Sequence, residues 1–127
     1  MATASSDDKL ERLKEFGLDH GINYSTDDFV ARAREITGGR GVDVVIESVG
    51  TTLRGSVECT GYRGRVIQVG NAGRETDSRV DINALSSKNR SLTGVSFANS
   101  LMLESQRARP LVVERELHGA QHGLGIV

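Results

Sequence analysis

Three short stretches carry groups that could hold a ligand. Ser48-Val49-Gly50 follows the β-branched run Val44-Val45-Ile46, and Val69-Gly70-Asn71 closes the apolar run that begins at Val66-Ile67. In open α/β sheets ligands sit outside the carboxyl ends of the strands, so these two turns are candidate binding residues. Gly50 would let a ligand come close to bare backbone. The third stretch is Ser5-Ser6 with Lys9, at the start of a helical pattern. Serine hydroxyls, a lysine and a helix N-terminus together suit a phosphate group. A plain reading stands beside each. The turns could be ordinary strand-to-helix connections, with glycine for positive φ and asparagine tolerating the same region. The serines could be a helix cap beside a surface lysine.

Other reactive residue types carry less. His118 and His122 have a spacing that could place two imidazoles on one helical face, but the glutamate of a metalloprotease motif is absent, and Gly119 and Gly123 oppose a stable helix. His20 sits at a strand start and reads as structural or exposed. Cys59 lies in a helical pattern with no histidine near it in sequence, and reads as a packed thiol. There is no nucleophile-elbow motif, no phosphate-binding P-loop and no carboxylate pair at a catalytic spacing. No catalytic residue and no metal ligand is assigned.

The elements that must position these groups alternate. Residues 2–4 end a strand. Ser5-Ser6-Asp7-Asp8 reads as a helix start with a serine cap, and Leu10, Leu13 and Phe16 form its apolar side, ending at Gly17. Ile22 and its neighbours make a short strand. Ser25-Thr26-Asp27-Asp28 opens a second helix with the stripe Phe29, Ala33 and Ile36, stopped by Gly38-Gly39. The run Val44-Val45-Ile46 suits a strand buried on both faces. A weaker helix follows from Thr51 to Gly61, with Gly55 in its interior. Strands at 65–69 and 91–97 enclose a polar loop and one helical turn within 82–88. A helix over 99–109 is cut by Pro110. Residues 118–127 have no period and read as a tail. Such alternation argues a parallel sheet in a doubly wound α/β fold.

Bulk properties narrow the class. A length of 127 residues suits one domain with a core, and 37% hydrophobic with 26% charged residues is an ordinary soluble composition. A net charge of -1 gives no electrostatic case for nucleic acid or an anionic membrane. One cysteine cannot build a disulfide framework, so a reducing, cytoplasmic setting is expected. No apolar run is long enough to span a membrane, and the first residues do not read as a signal peptide.

Read in order, Ala2-Thr3-Ala4-Ser5-Ser6-Asp7-Asp8-Lys9-Leu10, Gly17-Leu18-Asp19-His20, Ile22-Asn23-Tyr24, Ile36-Thr37-Gly38-Gly39-Arg40-Gly41-Val42-Asp43-Val44-Val45-Ile46, Ser48-Val49-Gly50, Gly64-Arg65-Val66-Ile67 and Val69-Gly70-Asn71 resemble the medium-chain dehydrogenase/reductase family, in its quinone oxidoreductase and enoyl reductase branch. The resemblance covers about residues 2–97 and fades after about Glu104. It implies NADP(H) as cofactor. Ser5, Ser6 and Lys9 would take the 2′-phosphate. Tyr24 would lie against the adenine ribose or phosphate, and Ser48, Val49, Gly50, Val69, Gly70 and Asn71 against nicotinamide and its ribose. The plain reading of Tyr24 is a half-buried aromatic at a strand end. The implied reaction is hydride transfer to a quinone, enone or enoyl thioester, with general acids mostly on another domain.

The resemblance also implies an incomplete Rossmann-like unit. Residues 1–110 match the later part of a dinucleotide-binding domain, without the first strand, its G-x-G-x-x-G-like loop or the substrate domain, and 111–127 form a C-terminal segment. In the doubly wound order 3-2-1-4-5-6 the missing strand is the central one. Unpaired strand edges are costly and invite pairing with another chain. The chain is therefore expected either to close the gap by rearranging or to fill it as a homo-oligomer. The rival reading is a self-associating, non-catalytic fragment that binds no cofactor.

Overall fold

The computed structural model describes residues 1–74 and 79–103. The elements are β1 (Ala2–Ala4), α1 (Asp7–Lys14), β2 (Gly21–Asn23), α2 (Phe29–Ile36), β3 (Val42–Glu47), α3 (Leu53–Cys59), β4 (Thr60–Gln68), α4 (Ile82–Ser86), β5 (Ser91–Gly94) and α5 (Phe97–Leu103). Met1–Val95 form one unit, and α5 belongs to a second that begins at Ser96. The expected helix over 99–109 is thus seen from Phe97 to Leu103. Pro110, His118, His122 and the tail lie outside the described residues.

Every strand pairing is parallel, but the strands form two sheets, β1-β2 and β3-β4-β5. Among the described residues no strand pairing joins β1 or β2 to the larger sheet, although Ile22 shares a core with Val42 and Val45. Leu10 of α1 packs on β2, where a Cβ at Gly21 would lie 3.1 Å from its side chain. The helices α2, α3 and α4 cover one face of the larger sheet. Val45 links its two cores, one around Ile22, Ala33 and Cys59, the other around Leu53, Val57 and Val66.

The structure corrects two expectations. The run Val44-Val45-Ile46 is not buried on both faces: Val44 is 43% and Ile46 45% exposed, because they alternate away from the helices that Val45 meets. On α1 Leu10 is buried and Leu13 is 39% exposed, and the helix ends at Lys14, before the expected Gly17, so Phe16 lies in the following turn at 85% exposed.

Local chemistry explains the helix limits. Asp28 caps α2 by accepting from Val30 N (2.9 Å) and Ala31 N (3.2 Å). The helix ends at Gly38 and Gly39, both with positive φ. Gly55, unfavourable by helix propensity, lets α3 approach α2, since a Cβ there would meet the Phe29 ring at Cζ and, at 2.9 Å, Cε1. The strand β4 starts at Thr60, directly after α3 and earlier than expected, with an irregular register between Val42 and Val44.

Gly41 sits where β3 begins, at φ 84, and a Cβ there would lie 2.7 Å from Gly61 N and 2.8 Å from Cys59 O. Gly38, at φ 61, has open space around it. Gly38→Ala is expected to cost about 1–2 kcal/mol from backbone conformation alone. Gly41→Ala adds a backbone collision and should cost about 3 kcal/mol or more. Urea unfolding measures both, and equal losses would contradict the close packing of the α3–β4 junction.

Candidate functional site

The candidate site grows from the carboxyl ends of β3 and β4. The last residue of β3, Glu47, is 3% exposed. Its Oε1 accepts from Val49 N (2.7 Å), Gly50 N (3.0 Å) and Thr52 Oγ1 (2.9 Å). Its Oε2 accepts from Thr52 Oγ1 (2.8 Å) and Ser56 Oγ (2.5 Å). Burial pushes this carboxyl up. The hydrogen bonds from Ser56, Gly50, Thr52 and Val49 outweigh burial and hold its pKa below the ordinary value of 4.5. The carboxylate thus folds Ser48-Val49-Gly50 back over itself at the start of α3.

The second turn is laid against the first. Val69 N donates to Glu47 O (2.8 Å), Ala72 N to Ser48 O (2.9 Å) and Gly73 N to Val49 O (2.7 Å). Gly70 passes close to Ser48, with a Cβ position 3.2 Å from Ser48 O. Ser48, Val69 and Asn71 are exposed, and Val49 and Gly70 half-buried.

Gly50 differs from expectation. It has φ 88 and is buried, and the place of its missing Cβ is filled by Asn71 Oδ1. The close approach that glycine permits is made by a neighbouring side chain, so bare backbone is not left open to a ligand. Asn71 itself is not in the left-handed region; in this loop Arg74 is, at φ 55.

The other predicted group assembles at the ends of β1 and β2. Lys9 Nζ donates to Ser5 Oγ (2.9 Å), and Ser25 Oγ donates to Ser5 O (2.9 Å). Tyr24 N donates to Ala4 O (3.0 Å), which sets Tyr24, 47% exposed, beside Ser5. The Asn23 side chain donates to Asp7 Oδ1 (3.0 Å), so that acid is held against β2. Ser6 occupies the N-cap position of α1, but its hydroxyl makes no cap bond. The expected serine cap is therefore absent, and the Ser5 hydroxyl faces Lys9 instead.

Elsewhere, Cys59 is buried and its thiol donates to Ser56 O (3.3 Å), as a packed thiol should. Burial pushes its pKa up. Among the described residues no group of three or more His, Cys, Asp or Glu could hold a metal. A cavity of about 400 Å³ between α3 and α4, lined by Arg54, Glu58 and Asp81 among others, contains none of the predicted site residues. Glu47, Thr52 and Ser56 were not among the predicted residues. An acid ending a β-branched run, directly before a glycine turn and a helix with hydroxyls at 52 and 56, was the available signal.

Parallel strands, covering helices and clustered strand-end turns define a Rossmann-type nucleotide-binding unit. A family model described as zinc-binding dehydrogenase matches residues 1–114. The 2-haloacrylate reductase of a Burkholderia species is 45% identical over 78 residues, covering 61% of this chain and 23% of that protein. The quinone oxidoreductase of Salmonella typhimurium is 40% identical over 73 residues, covering 57% and 22%. The nucleotide-binding subdomain of the enoylreductase domain of PpsC from Mycobacterium tuberculosis superposes with a TM-score of 0.81 at 31% identity, covering 98% of this chain and 70% of that one. The chain belongs to the zinc-binding dehydrogenase family, within the medium-chain dehydrogenase/reductases. It spans under a quarter of the length of the two curated relatives. Zinc does not fit the described residues, among which no cluster of His, Cys, Asp or Glu could hold it.

The Glu47 network makes stability depend on pH with a definite sign. A carboxyl whose folded pKa is lowered stabilises the fold above its unfolded value and loses that contribution as pH falls through the folded one. Ser56→Ala is expected to cost about 1.5–3 kcal/mol at pH 7, the worth of a hydrogen bond to a charged group. The loss should shrink well below pH 4.5, where the carboxyl is protonated. Urea unfolding across pH checks this, and a pH-independent loss would contradict an ionised Glu47.

Proposed function

We propose that this chain is the nucleotide-binding part of an NADPH-dependent oxidoreductase that reduces a quinone, enone or enoyl thioester. The observation that carries the reading is the pair of interlocked turns at the ends of β3 and β4, in which Ser48, Val69 and Asn71 are exposed. Relatives named as a haloacrylate reductase, a quinone oxidoreductase and an enoylreductase support the substrate class. In this reading residues 1–110 form the binding unit and 111–127 a C-terminal segment.

NADP(H) preference rests on the β1 end. An acid there would hold the ribose 2′-hydroxyl of NAD. Here Ser5 and Lys9 stand in that place, with Ser6 next to them, while Asp7 is occupied by Asn23. A hydroxyl and an ammonium suit a 2′-phosphate. Tyr24 borders the same patch and would flank the adenine ribose. The turns Ser48-Val49-Gly50 and Val69-Gly70-Asn71 would border nicotinamide and its ribose, with Gly50 and Asn71 shaping the surface and Ser48, Val49 and Val69 forming it. When bound, the cofactor supplies the hydride. This chain's share is to bind and orient, and no described residue is assigned a proton-transfer role.

A second reading has its own support. The open edge of β3 and the exposed Val44 and Ile46 favour self-association, so a homo-oligomer is proposed, either with cofactor or as an inert fragment. A cytoplasmic location is proposed from the single thiol. No described helix is long and apolar enough to cross a membrane.

Isothermal titration with NADPH and NADH separates the readings. The oxidoreductase reading expects micromolar binding with NADPH preferred, and a preference reduced about tenfold by Ser5→Ala combined with Lys9→Ala, the effect of about 1.4 kcal/mol of lost charged hydrogen bonding. No binding of either at millimolar cofactor would favour the inert fragment.

A further inference from the structure

We infer that Glu47 is the positioning residue of both strand-end turns, holding the nicotinamide end of the proposed site through hydrogen bonds that pass from its carboxylate to the Gly70–Gly73 loop. The inference rests on the reading above for its ligand but on geometry for its mechanism. Five contacts converge on one buried side chain. Two of them, from Val49 N and Gly50 N, fix the backbone of the first turn. That turn then offers Ser48 O and Val49 O in the direction that accepts Ala72 N (2.9 Å) and Gly73 N (2.7 Å). These bonds reach the second turn through the backbone of the first. The second turn is placed by carbonyls whose orientation the carboxylate sets. The Asn71 side chain lies against buried Gly50, so the second turn also touches the backbone of the first.

The charge is not the only means of holding this arrangement. A glutamine at 47 could keep its oxygen on Val49 N and Gly50 N and donate its amide to Thr52 Oγ1 and Ser56 Oγ, which can rotate to accept. Alanine would leave two buried backbone donors without partners. The two variants therefore differ in positioning although both remove the charge.

The test uses the full chain, with amide hydrogen exchange and titrations of two half-cofactor probes, reduced nicotinamide mononucleotide and adenosine 2′,5′-bisphosphate. In Glu47→Ala, exchange at Ala72 and Gly73 should quicken at least tenfold relative to Val66 in the sheet centre. Affinity for the nicotinamide probe should fall at least tenfold, while the adenosine probe, read by Ser5 and Lys9, stays within threefold. Glu47→Gln should restore exchange and both affinities to within threefold of the parent. Uniform quickening at Val66, Ala72 and Gly73 would show a merely structural role and overturn the inference. So would a glutamine variant no better than alanine. If Glu47→Ala does not fold, Thr52→Val removes the hydroxyl shared by both carboxylate oxygens, and local quickening at Val49, Gly50, Ala72 and Gly73 is the expected result. If the parent binds neither probe, the functional reading falls, while exchange at Ala72 and Gly73 still decides whether Glu47 holds the second turn.

Discussion

A carboxylate at the end of β3 sits almost out of reach of water, and the turns that define the candidate site depend on how it is satisfied. Moving a carboxylate into a protein interior costs several kcal/mol unless hydrogen bonds replace its hydration. Glu47 receives such bonds from two backbone amides and two hydroxyls. Each bond to a charged acceptor is worth about 1.5–3 kcal/mol, so four donors can offset the burial. The same bonds fold the first turn of α3 onto the strand end. From there the backbone ladder continues into the loop after β4. Strand, helix start and second turn share one buried anion.

The larger architecture sets a different constraint. Among the described residues of one unit, two parallel sheets have no strand pairing between them, and α2, α3 and α4 pack on one face of the larger sheet. Val45 joins the two cores on the covered face, while Val44 and Ile46 face outward. Each sheet keeps its own strand ladder, while Ile22 of β2 packs in one core with Ala33 and Cys59, against which Val42 and Val45 of β3 lie. The incomplete region is the boundary between β1 and β3. The two candidate patches accordingly sit on different sheets, Ser5 and Lys9 on one and the paired turns on the other.

Much of this was legible in residue order. A helix start at Ser25-Thr26-Asp27-Asp28, Gly38-Gly39 as a stop, the strands at β1, β2 and β3 and the brief helix at α4 all follow from local chemistry, and they appear where expected. The family was legible too, because its spaced motifs survive across most of the chain. What failed depended on tertiary surroundings. Periodicity shows that Val44 and Ile46 are apolar, but not that their face lacks a covering layer. The stripe expected on α1 is cut short because the helix ends at Lys14, which leaves Phe16 in a turn and exposed. Ser6 has the composition of a cap, while its hydroxyl makes no such bond. At the site, the glycine at 50 was read as room for a ligand and is room for Asn71. Glu47 was passed over because a lone acid at a strand end looks exposed, and only the hydroxyls of Thr52 and Ser56, brought over it by α3, make its burial tolerable.

The most direct test of the account is amide chemical-shift mapping of the chain with NADPH. The account predicts that the perturbed amides cluster in two places: Ser48, Val49, Gly50, Val69, Gly70 and Asn71 at one, and Ser5, Ser6, Lys9 and Tyr24 at the other. Perturbations confined to other surfaces, such as the cavity beside Arg54 and Asp81, or none at saturating cofactor, would contradict it.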